Sequence, residues 1–278
     1  MTVLRLGLIG DNIRASSAPR LHRLAGAQFG LDVDYPLLIP AEQGMDFDAL
    51  FDSCRERRGL NITYPYKERV VSRLRIDDPL VAAMGAVNTV VFEDGMARGH
   101  NTDYSGFVRA YRETLGDRPP GGVALVGAGG VGKAIAFGLL DLGVTAIRLA
   151  DPDQDRARDL AGRLRRARAD LDVTVAIRAD AIVAGADGVI NATPLGMEGR
   201  PGTAIPAGLL PGRGWAFDAV YTPVQTEFLQ AARAAGLATL SGWELFFYQG
   251  VDAFRHFARR EPDEAGLRAA LLNSHSAE

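Results

Sequence analysis

Apolar and polar positions alternate along this chain in two rhythms. Short runs of period two read as strands, and longer stretches with one apolar face read as helices. In the first hundred residues "VLRLGLIG" reads as a strand. "PRLHRLAGAQFG" reads as a helix that Pro19 opens, with Leu21, Leu24 and Ala25 on one face and Gly30 as its stop. "VDYPLLI" reads as a strand, "FDALFDSCRERRG" as a helix ended by glycine, "LNIT" as a strand and "YKERVVSRLR" as a helix. "AVNTVVFEDGMARGH" reads as a hairpin turning at Asp94-Gly95. Strands and helices in this order make an α/β unit.

A break follows. The helix "DYSGFVRAYRETLG" ends at Gly116, and "DRPPGG" resembles a linker. A second series then begins, with strands at 123–127, 145–151, 171–177, 188–191, 215–219 and 237–240. Helices at 130–143, 153–168, 179–185 and 223–235 separate them. Repeated βα units with right-handed crossovers give a doubly wound parallel sheet. Residues 241–272 read as helical, with Trp243, Phe246, Phe247, Gly250, Val251, Phe254 and Phe257 in one stripe that needs a partner face. The expectation is an α/β protein of two domains. Residues 1–103, completed by 241–278, form the first, and residues 104–240 form the second.

Composition changes this picture little. The 278 residues are 47% apolar and 23% charged, which are globular values. A net charge of -3 offers no basic field for nucleic acid. Arg163, Arg165, Arg166 and Arg168 wrap around a helix as a solvated face. Cys54 is the lone cysteine, so no disulfide forms within the chain and a reducing, cytoplasmic setting is expected. His22, His100, His256 and His275 lack metal-site spacing, so no metal is expected. His22 and His256 read as helix-face residues. The apolar run in "MTVLRLGLIG" is too short for a signal peptide. The stretch 121–144 is broken by glycines, Lys133 and Asp141, so no membrane span is expected.

Chemistry enters at "VALVGAGGVGKA". Gly127, Ala128, Gly129, Gly130, Val131 and Gly132 form G-x-G-x-x-G. The pattern follows a strand, opens a helix and is answered by Asp151 at the end of the next strand. Glycines let the backbone approach a pyrophosphate at the helix N-terminus, and the carboxylate accepts hydrogen bonds from a ribose. This is the fingerprint of a Rossmann-type dinucleotide-binding domain. A carboxylate repels a 2′-phosphate, which favours NAD over NADP, with Arg148 and Arg156 the nearby cations a phosphate would use.

A second cluster lies in "GLNITYPYKERV", where Asn61, Thr63 and Lys67 crowd the end of a strand. Open α/β sheets bind ligands at the carboxyl ends of their strands. Asn88 and the Asn101-Thr102-Asp103 run can reach the same edge. Amides, hydroxyls, one amine and one carboxylate suit a small polyol, with a Lys–Asp pair to move a proton.

The segments "NITYPYK", "GAVNTVV", "GHNTD", "GAGGVGKA", "NATPLGM", "DAVYTP" and "YQGVDAF" occur in the order found in shikimate dehydrogenases, over nearly the whole chain. The chain most resembles the NAD-dependent quinate/shikimate branch, because Asp151 stands where NADP-dependent members carry an Asn-Arg-Thr type motif. The resemblance implies a substrate domain, a nucleotide domain and a cleft between them. It implies hydride transfer between NAD and the ring carbon of shikimate or quinate. Lys67 is then the general acid/base and Asp103 its partner. Asn61, Thr63, Asn88 and Gln249 would contact substrate, with Ser16 and Tyr221 near its carboxylate. Thr193, Pro194, Leu195 and Met197 would line the nicotinamide side, with Ala219 and Gly242 nearby. The partner is a small polyol carboxylate, and a homodimer is expected.

One position departs from the pattern. The family's Ser-x-Ser-Pro or Ser-x-Thr-Pro reads Ser16-Ser17-Ala18-Pro19 here. Ala18 removes one hydroxyl, a loss of about 1–3 kcal/mol if a buried group goes unpaired. Ser17, Arg14 or Tyr104 would then substitute, or the ring would be a related one such as an aminated cyclohexene carboxylate. A non-catalytic NAD-binding sensor of the same fold is the rival class.

Overall fold

The structure is a computed structural model that describes residues 2–273. His275 and the rest of 274–278 lie outside the described residues. The chain divides into two compact units, one of Met1–Thr102 with Gln249–Glu278 and one of Asp103–Tyr248.

The first unit holds β1 (Val3–Arg5), β2 (Leu8–Ile9), α1 (Ala18–Ala27), β3 (Asp32–Asp34), β4 (Leu37–Leu38), α2 (Phe47–Ser53), β5 (Gly59–Ile62), α3 (Pro79–Met84), β6 (Thr89–Glu93) and β7 (Met96–His100). A five-stranded sheet runs β4-β2-β5-β6-β7. In it β2, β4 and β5 are parallel, and β6 and β7 return antiparallel. The strands read from "VLRLGLIG" and "VDYPLLI" are each two strands. β1 and β3 form a separate two-stranded sheet, while β2 and β4 join the larger one. The chain changes sheets at Gly7, where an added Cβ would lie 3.0 Å from Leu38 and 3.2 Å from Leu60, and at Pro36, which has no N–H to give a ladder. The helix expected over "YKERVVSRLR" is only a 3-10 turn at Arg69–Arg73, so Lys67 sits in a turn.

α3 was not expected. Its signals are local: the Asp78 carboxylate accepts from Leu80 N and Val81 N, Pro79 opens the helix, and Gly85 ends it at φ 66°.

The second unit takes up the chain within α4 (Thr102–Leu115). It continues through β8 (Gly122–Val126), α5 (Gly130–Asp141), β9 (Ala146–Ala150), α6 (Gln154–Ala167), β10 (Asp172–Ala176), α7 (Asp180–Val183), β11 (Gly188–Asn191), β12 (Trp215–Asp218), α8 (Glu227–Ala234) and β13 (Ala238–Ser241). All six strands are parallel, in the order β10-β9-β8-β11-β12-β13. This is the Rossmann order, with the switch point between β8 and β11. β8 and β11 are buried at every position, as strands covered on both faces are.

α9 (Gly242–Ala258) and α10 (Glu264–Asn273) close the chain. The unit boundary falls inside α9, after Tyr248, later than the expected 240/241. The stripe on this helix is therefore divided. Trp243, Phe246 and Phe247 belong to the second unit. Gly250, Val251, Phe254 and Phe257 belong to the first, where Ala253 and Phe257 pack with Leu6, Leu8, Val33 and Tyr35.

Candidate active site

In the first unit the sheet register gathers the polar cluster. Asn61 of β5 stands beside Thr89 of β6, which stands beside His100 of β7. The carboxyl ends of β2, β5 and β7 thus share one edge with the amino end of β6. Thr63 follows β5, its N–H bonded to Ile9 O at 2.9 Å. An added Cβ on Gly10 would lie 2.3 Å from the Thr63 methyl, so glycine is required where the chain leaves β2. Lys67 is half-buried, and its carbonyl accepts from Val87 N at 2.8 Å, one residue before Asn88. Tyr66 packs, stacked on Phe47 with its hydroxyl on Asp11, while Tyr64 is 68% exposed.

Beneath this edge lies a buried polar network. Tyr35 donates to Asn61 Oδ1 at 2.7 Å. Asn61 Nδ2 donates to Asn88 O at 3.2 Å and Thr89 Oγ1 at 3.0 Å. Asn88 Oδ1 accepts from Thr102 N at 2.7 Å, and Asn88 Nδ2 donates to Thr102 Oγ1 at 3.0 Å. Asp103 is the next residue, buried in the first turn of α4. His22 is buried against Tyr35, with ring centroids 4.8 Å apart. Burial lowers its pKa to about 3, opposed by a hydrogen bond with Asn61. Ser16 and Gln249 are half-buried; Ser16 Oγ accepts from Ala18 N at 3.3 Å, and Gln249 lies on α9.

In the second unit the glycine loop has the form its motif requires. Gly127 adopts φ +102°, and a Cβ there would lie 2.7 Å from Ala192 O. A Cβ on Gly132 would lie 2.1 Å from Gly127 O, so helix and loop close only on glycine. Gly129 differs: a Cβ there would meet no protein atom within 4 Å. Its lack of a side chain serves approach from outside, at the N-terminus of α5, which fits a dinucleotide pyrophosphate. Gly130 and Val131 open that helix. Asp151 is buried, and its oxygens accept from Ala128 N at 2.7 Å and Asp153 N at 2.9 Å. Each oxygen keeps a further lone pair.

Across the switch point, Asn191 and Asp218 pair side by side on β11 and β12. Asn191 Oδ1 accepts from Thr193 N at 3.0 Å, and Asn191 Nδ2 donates to Leu195 O at 3.0 Å and Asp218 Oδ1 at 2.9 Å. Asp218 also accepts from Val220 N at 3.0 Å and Thr226 Oγ1 at 2.6 Å. Burial pushes its carboxyl up to about 6. These bonds shape the loop carrying Thr193, Pro194, Leu195 and Met197, of which the last three are exposed. Ala219 N bonds Asn191 O at 2.8 Å, and Tyr221 stacks on Phe246. Gly242 lets α9 start against this loop, since a Cβ would lie 2.6 Å from Ala219 O.

Sequence reasoning did not single out His22, Tyr35, Thr89, Asn191 or Asp218 as site residues. His22 is a core residue, and His256 stacks on His100 at 3.9 Å. Among the described residues, no group of three or more His, Cys, Asp or Glu could hold a metal ion, and no helix is long and apolar enough to cross a membrane.

Comparison with known proteins follows the same division. Residues 8–90 match the shikimate dehydrogenase substrate binding domain. The quinate/shikimate dehydrogenase (NAD(+)) of Corynebacterium efficiens is 42% identical over 276 residues, covering 96% of this chain and 97% of its own. A shikimate dehydrogenase (NADP(+)) of Streptomyces avermitilis is 41% identical over 273 residues, covering 96% of this chain and 94% of its own. Quinate dehydrogenase from Corynebacterium glutamicum in complex with NAD superposes with a TM-score of 0.90 at 40% identity, covering 98% of this chain and 100% of that one. Similarity of this extent, spanning both units, means that the chain belongs to the shikimate dehydrogenase family.

Proposed function

We propose that this protein is an NAD-dependent dehydrogenase interconverting shikimate with 3-dehydroshikimate and quinate with 3-dehydroquinate. The observation that carries the reading is near-full-length similarity to an NAD(+) quinate/shikimate dehydrogenase, in a chain whose Asp151 closes the glycine loop where a 2′-phosphate would be repelled.

Gly127, Ala128, Gly129, Gly130, Val131, Gly132 and Asp151 would hold NAD, with Thr193, Pro194, Leu195, Met197, Ala219 and Gly242 on its nicotinamide side. Bound NAD supplies the hydride acceptor. Lys67 takes the proton of the reacting hydroxyl at Nζ, and Asp103 orients that amine. Thr63, Asn88 and Gln249 bind ring hydroxyls, and Ser16 and Tyr221 face the carboxylate. In the reverse direction Lys67 returns the proton to the nascent alkoxide. Cytoplasmic residence and a homodimer belong to the same proposal.

The test is initial rates with shikimate and quinate, each with NAD and with NADP. Turnover with NAD well above NADP is expected, and NAD binding without turnover of either acid overturns the reading. Lys67→Ala is expected to lose turnover by about 100-fold or more while keeping NAD affinity.

A further inference from the structure

We infer that His22 and Tyr35, acting through Asn61, are positioning residues for the proton-transfer pair. The inference rests on the roles proposed for Lys67 and Asp103 above.

Asn61 carries the argument. A side-chain amide has two N–H donors and two acceptor lone pairs. Both donors are committed, to Asn88 O and Thr89 Oγ1. The oxygen accepts from Tyr35, whose ring stacks on His22. His22 Nδ1 has no partner, and the ring meets the network through its stack on Tyr35. Asn61 therefore has both donors and one lone pair committed inside the protein, and its work lies there. This departs from the direct substrate contact expected of it.

What it holds is the next shell of the same edge. Thr89 Oγ1 lies 3.1 Å from Asn88 Oδ1 and 3.1 Å from Thr102 Oγ1. Asn88 in turn holds the backbone N–H and the hydroxyl of Thr102. Asn61 thus fixes the Asn88 carbonyl directly and the Asn88 amide through Thr89. Asn88 fixes the start of α4, one peptide before Asp103. The Lys67 carbonyl is tied to Val87, one residue before Asn88. The network joins both members of the proton pair through the backbone, and Asn88 alone of its members is assigned a substrate contact.

Apolar side chains could fill this volume, but they would not fix orientation. His22, Tyr35, Asn61, Asn88, Thr89 and Thr102 are all buried. A buried amide with three partners has one rotamer that satisfies it, whereas a leucine there would have several. His22 and Tyr35 supply a rigid back wall: their rings stack, and His22 lies against Phe257 and Phe254.

The test removes one oxygen. Tyr35→Phe keeps the ring stack and deletes the hydroxyl that holds Asn61. Expected is a fall of about tenfold in kcat. KM for NAD should be unchanged, and the solvent deuterium isotope effect on kcat should rise as proton transfer becomes limiting. Thr89→Val should repeat this loss and Thr89→Ser should restore activity, a pair that serves even if Tyr35→Phe folds poorly. A merely structural role would lower the melting temperature and leave kcat of the folded enzyme and its isotope effect alone; that result, with Lys67→Ala inactive, overturns the inference and leaves the proposed function standing. Full activity in Lys67→Ala would overturn the proton-pair reading and this inference with it.

Discussion

Each unit has a buried polar knot where strand carboxyl ends gather at one edge of its sheet, and the two are built from opposite materials. The knot of the first unit is neutral: an imidazole, a phenol, two amides and two hydroxyls. The knot of the second is organised around a carboxylate, with Asp218 fully buried between Asn191, Val220 and Thr226. Both fix loops, but burial acts on their titrating groups in opposite directions. It lowers His22 to about 3 and raises Asp218 to about 6. In each case burial selects the neutral form. Hydrogen-bond donors aimed at Asp218 partly offset that preference, while only Asn61 does so for His22. Two polar cores can therefore both hold loops in place and still answer acid in contrary ways.

The sharpest break in the comparison is Asp218→Ala. It orphans a hydroxyl and two N–H groups at once, and should cost about 3 kcal/mol in a denaturant titration. Tyr35→Phe removes one neutral bond and should cost about 1 kcal/mol. Equal losses would mean that charge adds nothing to the second knot.

Acid comes next. An unfolded His22 takes up a proton near 6.5, and the folded one only near 3. Between these values the unfolded chain binds more protons, so this stability is full above pH 6.5 and is lost as pH falls. The slope from His22 alone approaches about 1.4 kcal/mol per pH unit. His100, lowered to about 4 by burial and by His256, and His256, lowered by burial, add to it with the same sign. A His22→Phe variant should show a shallower acid loss.

Asp218 has the opposite sign over a narrower window. Between 3.8 and about 6 the folded state binds more protons, so its contribution falls as pH rises. Asp218→Asn should remove that fall, seen as a gain of stability at pH 7 relative to pH 4 when set against the parent.

A separate effect, on binding rather than on stability, is expected at Asp151, another buried carboxylate of this unit. Asp151→Ala should weaken NAD binding by about tenfold, through a lost ribose bond and a looser Ala128 N–H. It should also narrow the preference for NAD over NADP in titration calorimetry.

The second unit was the more legible in sequence, for a physical reason. Parallel strands covered on both faces read as unbroken apolar runs, and glycines at positive φ, such as Gly127, Gly143, Gly185 and Gly236, mark several of the turns. All six strands from β8 to β13 lie where the periodicity put them, within a residue or so. In the first unit, alternation says that a strand exists but not which sheet it joins. "VLRLGLIG" and "VDYPLLI" each therefore concealed a change of sheet. The polar residues at the edge were legible because amides, an amine and a carboxylate crowd a strand end. What lies beneath them was not. His22 on a helix and Tyr35 in a connector carry no local sign that they meet Asn61, since that meeting depends on how α1 packs over β5. Asp78-Pro79 before α3 and Gly85 after it did carry such a sign, as a cap and a stop.

The division of the chain also has a consequence for biosynthesis. The first unit is discontinuous, interrupted by Asp103–Tyr248 and finished by the helices after Gln249. Its strand β5 is covered by Phe257, whose ring sits where a Cβ on Gly59 would fall. On the ribosome the second unit is complete first, while the sheet of the first waits, partly uncovered, for the residues after Gln249 to emerge. A stop before Val251 would therefore leave the second unit finished and the sheet of the first unit open.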